Sequence, residues 1–393
     1  MATVIGYPGH EILIPDVVRA ENASLFDARN RRYVDLESGV WCATVGHGNP
    51  RVLRVIQEQA ARIMHAGYCY STDGVGKSAE ELLRVLGFSG GKGVFLSSGS
   101  EAVEFGVRSV QRARPGSLLL TMTDSYFGAY GAAHGKDERE WHGYDWRACR
   151  ECPVNEDGSR DCEHWRGIPF ERLGGFLFEP GSSSGLVRFP PKDMIGALVA
   201  RVRDGGGFFM VNEVTTGFGR TGAWFGHGHY GIRPDVVALG KGIGNGYPVS
   251  FTAFAPEVLD ALCGDPTPYA QSHQNDPLGA AVALEVVRVI EDEGLIERSR
   301  ESGALLLAGL EDVGERVGGV LAVRGRGLMV AVDLDDDVHN SWAVHVQREL
   351  VHRGFILARR PDTSSLRIDP PLTIEHEDLQ GFLTTFESVL VEG

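Results

Sequence analysis

Short apolar segments alternate with helical segments through the middle of this 393-residue chain, and this alternation constrains its fold more than any other feature. The apolar segments are residues 93–98, 118–121, 176–179, 208–212 and 236–239, and residues 101–114 and 192–204 have helical spacing. Such a pattern is typical of a parallel or mixed sheet that is covered by helices on both faces. We therefore predict an α/β fold with a mixed, mostly parallel sheet.

Polar residues stand where these apolar segments end. Ser98-Gly99-Ser100, Glu179 and Asn212 end or follow three of the segments, and Lys241 follows the last. Ligands of such sheets bind beyond the carboxyl ends of the strands. We expect these residues to lie along one edge of the sheet.

The pattern changes after residue 278. Helices are predicted at 278–293, 295–317, 342–353 and 376–391, with strand material at 320–332 and, near the start of the chain, two short strands within 25–36. We predict a large domain at 40–280 and a smaller α+β domain made of 1–39 together with 281–393.

The composition excludes several classes of partner. The chain has 38 basic and 53 acidic residues, a net charge of −15, so it lacks the cationic surface that nucleic acids require. No apolar run approaches the ~20 residues of a membrane span, and the start does not resemble a signal peptide. Six cysteines in so long a chain do not form a disulfide framework, which favours a cytoplasmic protein.

Lysine is scarce, and one lysine has an unusual position. Only five lysines occur, and Lys241 lies between Gly240 and Gly242 just after an apolar segment. Partial burial there would lower its pKa and favour the neutral amine that a Schiff base needs. A surface lysine in a glycine-rich loop is the alternative that this position alone allows.

Ser98-Gly99-Ser100-Glu101 joins a predicted strand to a predicted helix. Backbone N–H groups at a helix N-terminus suit a phosphate group, and a serine can add a hydroxyl. An ordinary serine N-cap is the other interpretation.

Taken together, these motifs resemble those of class III (ω-) aminotransferases, which are pyridoxal-phosphate enzymes of fold type I. The most specific stretch is Asn212-Glu213-Val214-Thr215-Thr216-Gly217-Phe218-Gly219-Arg220-Thr221-Gly222, followed by Pro234-Asp235 and Gly240-Lys241-Gly242. The resemblance spans about residues 25–390.

The resemblance implies roles for individual residues. Lys241 would form the Schiff base with pyridoxal 5'-phosphate and then transfer the proton. The implied cofactor-binding residues are Gly99, Ser100, Tyr126, Phe127, Glu179, Asn212, Val214, Lys241 and Ser272, the last reaching the phosphate from the neighbouring subunit. Trp41 and Arg367 would bind the substrate, with Arg367 on a carboxylate.

The sequence departs from the family at two of these places. Asn212 stands where the family normally has an aspartate, which keeps the pyridine nitrogen protonated. An asparagine can donate a hydrogen bond to that nitrogen but does not favour a proton on it. Ser184 stands where many relatives have a glutamate that pairs with the carboxylate-binding arginine, so we expect no acidic partner for Arg367 from that position.

Residues 134–172 form a long polar connection that contains Cys149, Cys152, Cys162 and His164. Three cysteines and a histidine could hold zinc. The spacing matches no module that we can name, so we expect free thiols in an ordered loop and no metal.

The resemblance implies a cytoplasmic homodimer with shared active sites. It would move an amino group between an amine or amino acid and a keto or aldehyde acceptor, with neither nucleic acid nor membrane as a partner. The change at Asn212 leaves open an aminomutase, an epimerase or a decarboxylase on the same scaffold. A weakly catalytic cofactor-binding protein is the remaining alternative, against which the retention of Lys241, Ser100, Glu179 and Tyr126 argues.

Overall fold

A computed structural model describes residues 5, 11–67, 69–181, 185–263, 267–336 and 341–392. Its strands are β1 Val17–Glu21, β2 Ser24–Asp27, β3 Arg32–Asp35, β4 Lys92–Leu96, β5 Leu118–Met122, β6 Trp141–Tyr144, β7 Leu173–Phe178, β8 Phe208–Asn212, β9 Val236–Leu239, β10 Ser250–Phe254, β11 Val320–Arg326, β12 Met329–Leu334, β13 Phe355–Ile356, β14 Ala358–Arg359 and β15 Ser365–Ile368.

The predicted helices at 101–114, 192–204, 278–293, 295–317, 342–353 and 376–391 are confirmed to within two residues at each end, whereas Asp73–Leu86 and Pro256–Ala261 were not predicted. The longer helices of the structure are Pro50–Arg62, Asp73–Leu86, Gly99–Ala113, Lys192–Asp204, Pro256–Ala261, Pro277–Asp292, Leu295–Val317, Ser341–His352 and His376–Glu392. Short helical turns lie at Ala132–Gly135 and Glu163–Arg166. None of the described helices is long and apolar enough to cross a membrane.

A seven-stranded sheet in the order β4-β10-β9-β8-β7-β5-β6 forms the centre of the fold. Only β10 runs antiparallel to its neighbours, so the predicted mixed, mostly parallel α/β sheet is confirmed. The strands β7, β8 and β9 are buried almost throughout, because helices cover both faces. The sequence did not single out β6 or β10 as strands.

Two four-stranded sheets complete the molecule. One has the order β1-β2-β3-β13 and therefore joins the start of the chain to residues near its end, and the other has the order β11-β12-β15-β14. The helix Leu295–Val317 packs against β11 and β12 as well as against the helix His376–Glu392. This topology is compatible with the division at 40–280, which stays a prediction.

Candidate active site

The carboxyl ends of five strands lie along one edge of the large sheet. The strands β4 and β9 both run antiparallel to β10, and β5, β7, β8 and β9 are mutually parallel. The segments that follow these ends carry Ser98–Ser100 after β4, Tyr126 after β5, Glu179 after β7, Asn212 at the end of β8 and Lys241 after β9. The structure therefore brings five separate parts of the chain to one edge.

The N-terminus of the helix Gly99–Ala113 packs tightly against the end of β9. A Cβ atom built on Gly99 would lie 2.7 Å from Cγ1 of Val214, and one built on Gly240 would lie 3.0 Å from Cα of Gly99. Ser98 caps the helix by accepting a hydrogen bond from the Glu101 N–H, as the N-cap interpretation expects. The N–H groups of the first helical turn still have no partner within the helix, so an anion can bind there.

Ser100 lies in that first turn. Its Oγ accepts a hydrogen bond from the Ala129 N–H at 3.0 Å. A Cβ atom on Gly128 would lie 2.7 Å from the same Oγ, and Gly128 has a φ of +118°, so only glycine fits this close approach. The loop after β5 is thereby fixed against the helix N-terminus.

The side chain of Asn212 has a defined orientation. Its Oδ1 accepts from the Val214 N–H and its Nδ2 donates to the Tyr126 carbonyl oxygen, both at 3.1 Å. If the oxygen and nitrogen were exchanged, Nδ2 would face the Val214 N–H and Oδ1 would face the Tyr126 carbonyl oxygen, so neither hydrogen bond could form. The two partners therefore assign the orientation of the Asn212 amide. One N–H of Nδ2 is used in this way, and a second N–H remains on the same nitrogen.

Glu179 and Tyr126 are connected to the same network. The carboxylate of Glu179, 2% exposed, accepts a hydrogen bond from the Tyr126 N–H at 3.0 Å. The Tyr126 side chain is 42% exposed, whereas the adjacent Phe127 ring is buried and packs against Trp141. The backbone of Tyr126 is thus held from both sides while its ring faces outwards.

Lys241 sits in a left-handed backbone conformation, with a φ of 47° that is uncommon for a residue with a side chain. Burial lowers the pKa of Lys241 to about 8, although the nearby Cys42 and Glu179 oppose this shift. A lysine with this pKa has a substantial neutral fraction near physiological pH, as a nucleophilic amine requires. The alternative of an ordinary surface lysine is therefore wrong.

Trp41 contacts two cations. The Lys241 Nζ lies 4.6 Å and the Arg367 Cζ 3.6 Å from the centre of its ring. The ring belongs to a left-handed turn in which Ser38, Val40 and Trp41 have φ values of 47°, 60° and 64°. Such a turn costs roughly 1–2 kcal/mol per residue, so other contacts must hold it in place.

Arg220 supplies some of those contacts. Its buried guanidinium donates to Ser38 Oγ at 3.1 Å and also to the carbonyl oxygens of Leu328 and Pro370. Ser38 Oγ in turn donates to the Asp369 carbonyl oxygen at 2.6 Å. The arginine of the Gly-Phe-Gly-Arg-Thr-Gly stretch thus positions the turn that carries Trp41.

Arg367 has two acidic neighbours that the sequence did not single out. Its Nε donates to the fully buried carboxylate of Asp369, and its Nη2 lies 3.9 Å from Oε1 of Glu37. Burial raises the pKa of both carboxyl groups, and Arg367 opposes the shift in each. The predicted absence of an acidic partner concerned Ser184, which lies outside the described residues.

Lys136 is a second lysine near this edge. Its Nζ donates to the Ser125 carbonyl oxygen at 2.5 Å and lies 4.9 Å from the centre of the Phe127 ring. Burial lowers its pKa, while Glu179 and Asp124 oppose the shift. No pattern in the sequence singled out Lys136, because its position depends on the fold of the loop after β5.

Ser272 is not brought into this group. Its side chain is exposed, and the neighbouring Gln271 donates from Nε2 to Ser97 Oγ at 3.3 Å. The structure therefore places the Ser272 loop beside the strand β4 and leaves Ser272 on the surface of this chain.

Three of the four residues that the sequence analysis considered as zinc ligands lie close together. The Sγ atoms of Cys149, Cys152 and Cys162 lie within 4.8 Å of one another. His164 is exposed and is not part of the group. The set of three cysteines and a histidine is therefore not assembled.

Comparison with known proteins identifies the family. The chain matches the family model "Aminotransferase class-III" over residues 6–132 and 156–390, which leaves residues 133–155 unmatched. It is 29% identical to a leucine/methionine racemase of Thermococcus litoralis, over 95% of this chain and 90% of the relative. It is 30% identical to a 5-aminovalerate aminotransferase of Pseudomonas aeruginosa, over 86% of this chain and 84% of that protein.

The fold agrees with this assignment. A crystal structure of a Bacillus anthracis aminotransferase superposes with a TM-score of 0.86 at 25% identity, covering 96% of this chain and 93% of that one. The match extends over both the large sheet and the two smaller ones. This chain belongs to the class III aminotransferases, which are pyridoxal-phosphate-dependent enzymes of fold type I.

Proposed function

We propose that this aminotransferase acts on amino donors and keto acceptors that carry a carboxylate, with Lys241 as its catalytic residue. The observation that carries the proposal is the contact of both Lys241 and Arg367 with the ring of Trp41. It puts a partly neutral amine and a carboxylate-binding guanidinium beside one aromatic wall. A substrate that spans the two would present its amino group to the lysine.

The described residues fit pyridoxal 5'-phosphate. Gly99 and Ser100 would hold the phosphate at the helix N-terminus, where a side chain on Gly99 would displace Val214. Tyr126 and Val214 would border the ring, and Lys241 would hold the aldehyde carbon. When bound, the cofactor withdraws electrons from the substrate carbon that loses a proton.

Asn212 would contact the ring nitrogen of the cofactor. Its Oδ1 and one N–H of Nδ2 are used by Val214 and Tyr126, so the group it can present is the second N–H. A donor at that place favours an unprotonated nitrogen. Asn212 would thus orient the cofactor ring, and the ring would withdraw electrons less strongly than it would beside an aspartate.

Lys241 would also move the proton. In its neutral form the Nζ can take a proton from the substrate carbon and return one to the neighbouring carbon of the cofactor. The lowered pKa brings its proton affinity close to the working pH, where general acid–base catalysis is most efficient.

Arg367 would bind the substrate carboxylate. Asp369 accepts from Nε and Glu37 lies near Nη2, so an incoming carboxylate would meet the guanidinium at Nη1. The Nη1 atom lies near Gly185, where a Cβ atom would be 3.5 Å away. The small residue leaves space for the carboxylate on that side.

Two chains would build each site in a cytoplasmic homodimer. Ser272 is exposed and is not brought to the proposed phosphate site of its own chain. This suits a serine that would bind the cofactor phosphate of the partner subunit. None of the six cysteines forms a disulfide, which fits a reducing compartment.

Borohydride reduction followed by peptide mapping tests the role of Lys241. We expect the cofactor to be fixed on the Lys241 peptide, and Lys241→Arg to abolish both labelling and turnover. Lys136→Arg is the matched control, because Lys136 is the other lysine with a pKa lowered by burial near this edge. Labelling of Lys136 in the wild type would overturn the assignment.

A panel of donors tests the substrate class. Single-turnover titration with amino acids and with the corresponding decarboxylated amines should show conversion of the amino acids only, and Arg367→Lys should raise KM more than it lowers kcat. Equal conversion of the decarboxylated amines would contradict the role of Arg367.

A racemase is the second candidate, because a leucine/methionine racemase is among the similar proteins and Asn212 weakens the electron sink. Incubating a single enantiomer without any keto acid distinguishes the two functions. Appearance of the opposite enantiomer without loss of amino groups would favour racemisation, and stoichiometric formation of the keto acid would favour amino transfer.

A further inference from the structure

We propose that Cys149, Cys152 and Cys162 form a zinc site outside the active site, with a water molecule as the fourth ligand. Their Sγ atoms lie within 4.8 Å of one another, and those of Cys149 and Cys162 are 3.3 Å apart. Three thiolates at the usual Zn–S distance of about 2.3 Å are separated by about 3.8 Å in a tetrahedral site. The Sγ–Sγ distances in the structure, 3.3 Å for one pair and no more than 4.8 Å for any pair, are compatible with this value.

The backbone brings the three cysteines together in a compact unit. Cys149 ends a short 3-10 helix, and its carbonyl oxygen accepts from the Cys152 N–H in a tight turn. A hairpin then returns the chain, because the Asp161 N–H donates to the Pro153 carbonyl oxygen at 3.0 Å. Cys162 follows directly. The two-residue spacing of Cys149 and Cys152 is typical of zinc ligands, and the hairpin brings the third cysteine to them.

A buried hydroxyl group faces this unit. Tyr144 is 2% exposed, and among the described residues its hydroxyl has no hydrogen-bonding partner other than the neighbouring thiols. A buried polar group without a good partner costs free energy. A water molecule bound to the metal would give this hydroxyl a partner, and this observation does not depend on the thiol spacing.

The local charge also suits a zinc ion. Three thiolates and Zn²⁺ carry a net charge of −1, which a nearby cation would balance. Arg160 is 3% exposed and lies in the hairpin, two residues before Cys162. It is held by Asp193 at 2.8 Å, so its position is fixed.

Two of the three cysteines lie in a segment that the family match does not include, and Cys162 follows soon after the match resumes at residue 156. Cys149 and Cys152 lie in the unmatched residues 133–155. Trp146, in the same segment, donates from Nε1 to Asp124 at 3.2 Å, close to the loop that carries Tyr126. The zinc would therefore fix an additional segment against the outer edge of the active site.

Metal analysis of the full holoenzyme tests the proposal. After expression with added zinc we expect about one zinc per chain, and Cys149→Ser, Cys152→Ser and Cys162→Ser should each lose most of it. Cys69→Ser and Cys263→Ser, which change exposed thiols elsewhere, should retain it, as should His164→Ala. Loss of zinc in His164→Ala would overturn the assignment of water as the fourth ligand.

Cobalt substitution of the wild type keeps the test valid if a buried cysteine variant fails to fold. Tetrahedral thiolate-bound Co²⁺ absorbs in the red, away from the cofactor, and titration with a mercurial should release the metal as three thiols react. A wild type without metal, or with a Cys149–Cys162 disulfide found by mass spectrometry under reducing purification, would overturn the proposal.

Discussion

Replacing Asn212 with aspartate changes one atom of a buried hydrogen-bond network and should separate two effects. The Nδ2 atom, which donates to the Tyr126 carbonyl oxygen at 3.1 Å, becomes an oxygen that cannot donate when ionised. Two acceptors then face each other in a site where Asn212 is only 3% exposed. Leaving a buried acceptor without its donor costs about 1–3 kcal/mol, so the apoenzyme should lose about that much stability.

In the holoenzyme, by contrast, the added carboxylate should be favourable. A carboxylate favours a protonated ring nitrogen, and each unit by which it raises that pKa is worth about 1.4 kcal/mol, or about tenfold in a coupled rate. We therefore expect proton abstraction in the half-reaction to become about tenfold faster or more. The cofactor should also stabilise the variant by more than it stabilises the wild type.

Two assays measure these effects separately. Urea denaturation of the apoenzyme gives the loss of stability, and single-turnover stopped-flow absorbance of the holoenzyme gives the rate. Asn245→Asp is the matched control, because Asn245 accepts from the Val45 N–H and donates to the Gly46 carbonyl oxygen, both at 2.9 Å. The control should lose stability without any change in the cofactor spectrum.

Two results would refute this reasoning. If Asn212→Asp leaves the spectrum and single-turnover rate unchanged, Asn212 does not contact the ring nitrogen. If the apoenzyme keeps its full stability, the orientation that Val214 and Tyr126 assign to the amide is wrong.

Three further predictions follow from buried groups of the site. The rate at which the apoenzyme binds the cofactor covalently should rise about tenfold between pH 7 and pH 9, because the neutral fraction of Lys241 increases around its pKa of about 8. A rate that does not change with pH would contradict this pKa. Gly99→Ala should weaken cofactor affinity, measured by equilibrium titration, since its Cβ would lie 2.7 Å from Val214, and adding Val214→Ala should recover part of the loss. Arg220→Met should reduce the free energy of unfolding in urea by about 3–5 kcal/mol, because it leaves the buried carbonyl oxygens of Leu328 and Pro370 without their donor and removes one of the two cations that act on Asp369.

Local pattern was enough to predict the large sheet and the edge at which the site forms. Periodicity identified the helix Lys192–Asp204 at its observed bounds, because one of its faces is buried and the other is exposed. Continuous apolar runs identified β8 and β9, because these strands are buried on both faces. Their carboxyl ends follow from the sheet geometry, so Asn212 and Lys241 could be placed together from the sequence. The strand β10 is equally buried, but its sequence Ser-Phe-Thr-Ala-Phe is not a continuous apolar run, and nothing in it reveals that the strand runs antiparallel.

Contacts between distant segments could not be predicted in the same way. The approach of Glu37 to Arg367 depends on how the start of the chain packs against β15. The left-handed turn at Trp41 is unfavourable by local preference and exists because Arg220 and Asp369 hold it from elsewhere in the chain. The sequence contains these partners without any indication that they meet.

The shared contact of Lys241 and Arg367 with Trp41 implies thermodynamic linkage between carboxylate binding and proton binding. The positive charge of Arg367 contributes to lowering the pKa of Lys241. A carboxylate that neutralises Arg367 removes this contribution and so increases the proton affinity of the amine. By reciprocity, a protonated Lys241 must bind the carboxylate more tightly by the same factor. The binding or release of a carboxylate ligand would thus change the proton occupancy of Lys241. The enzyme would therefore exchange protons with the buffer when the ligand binds as well as during catalysis.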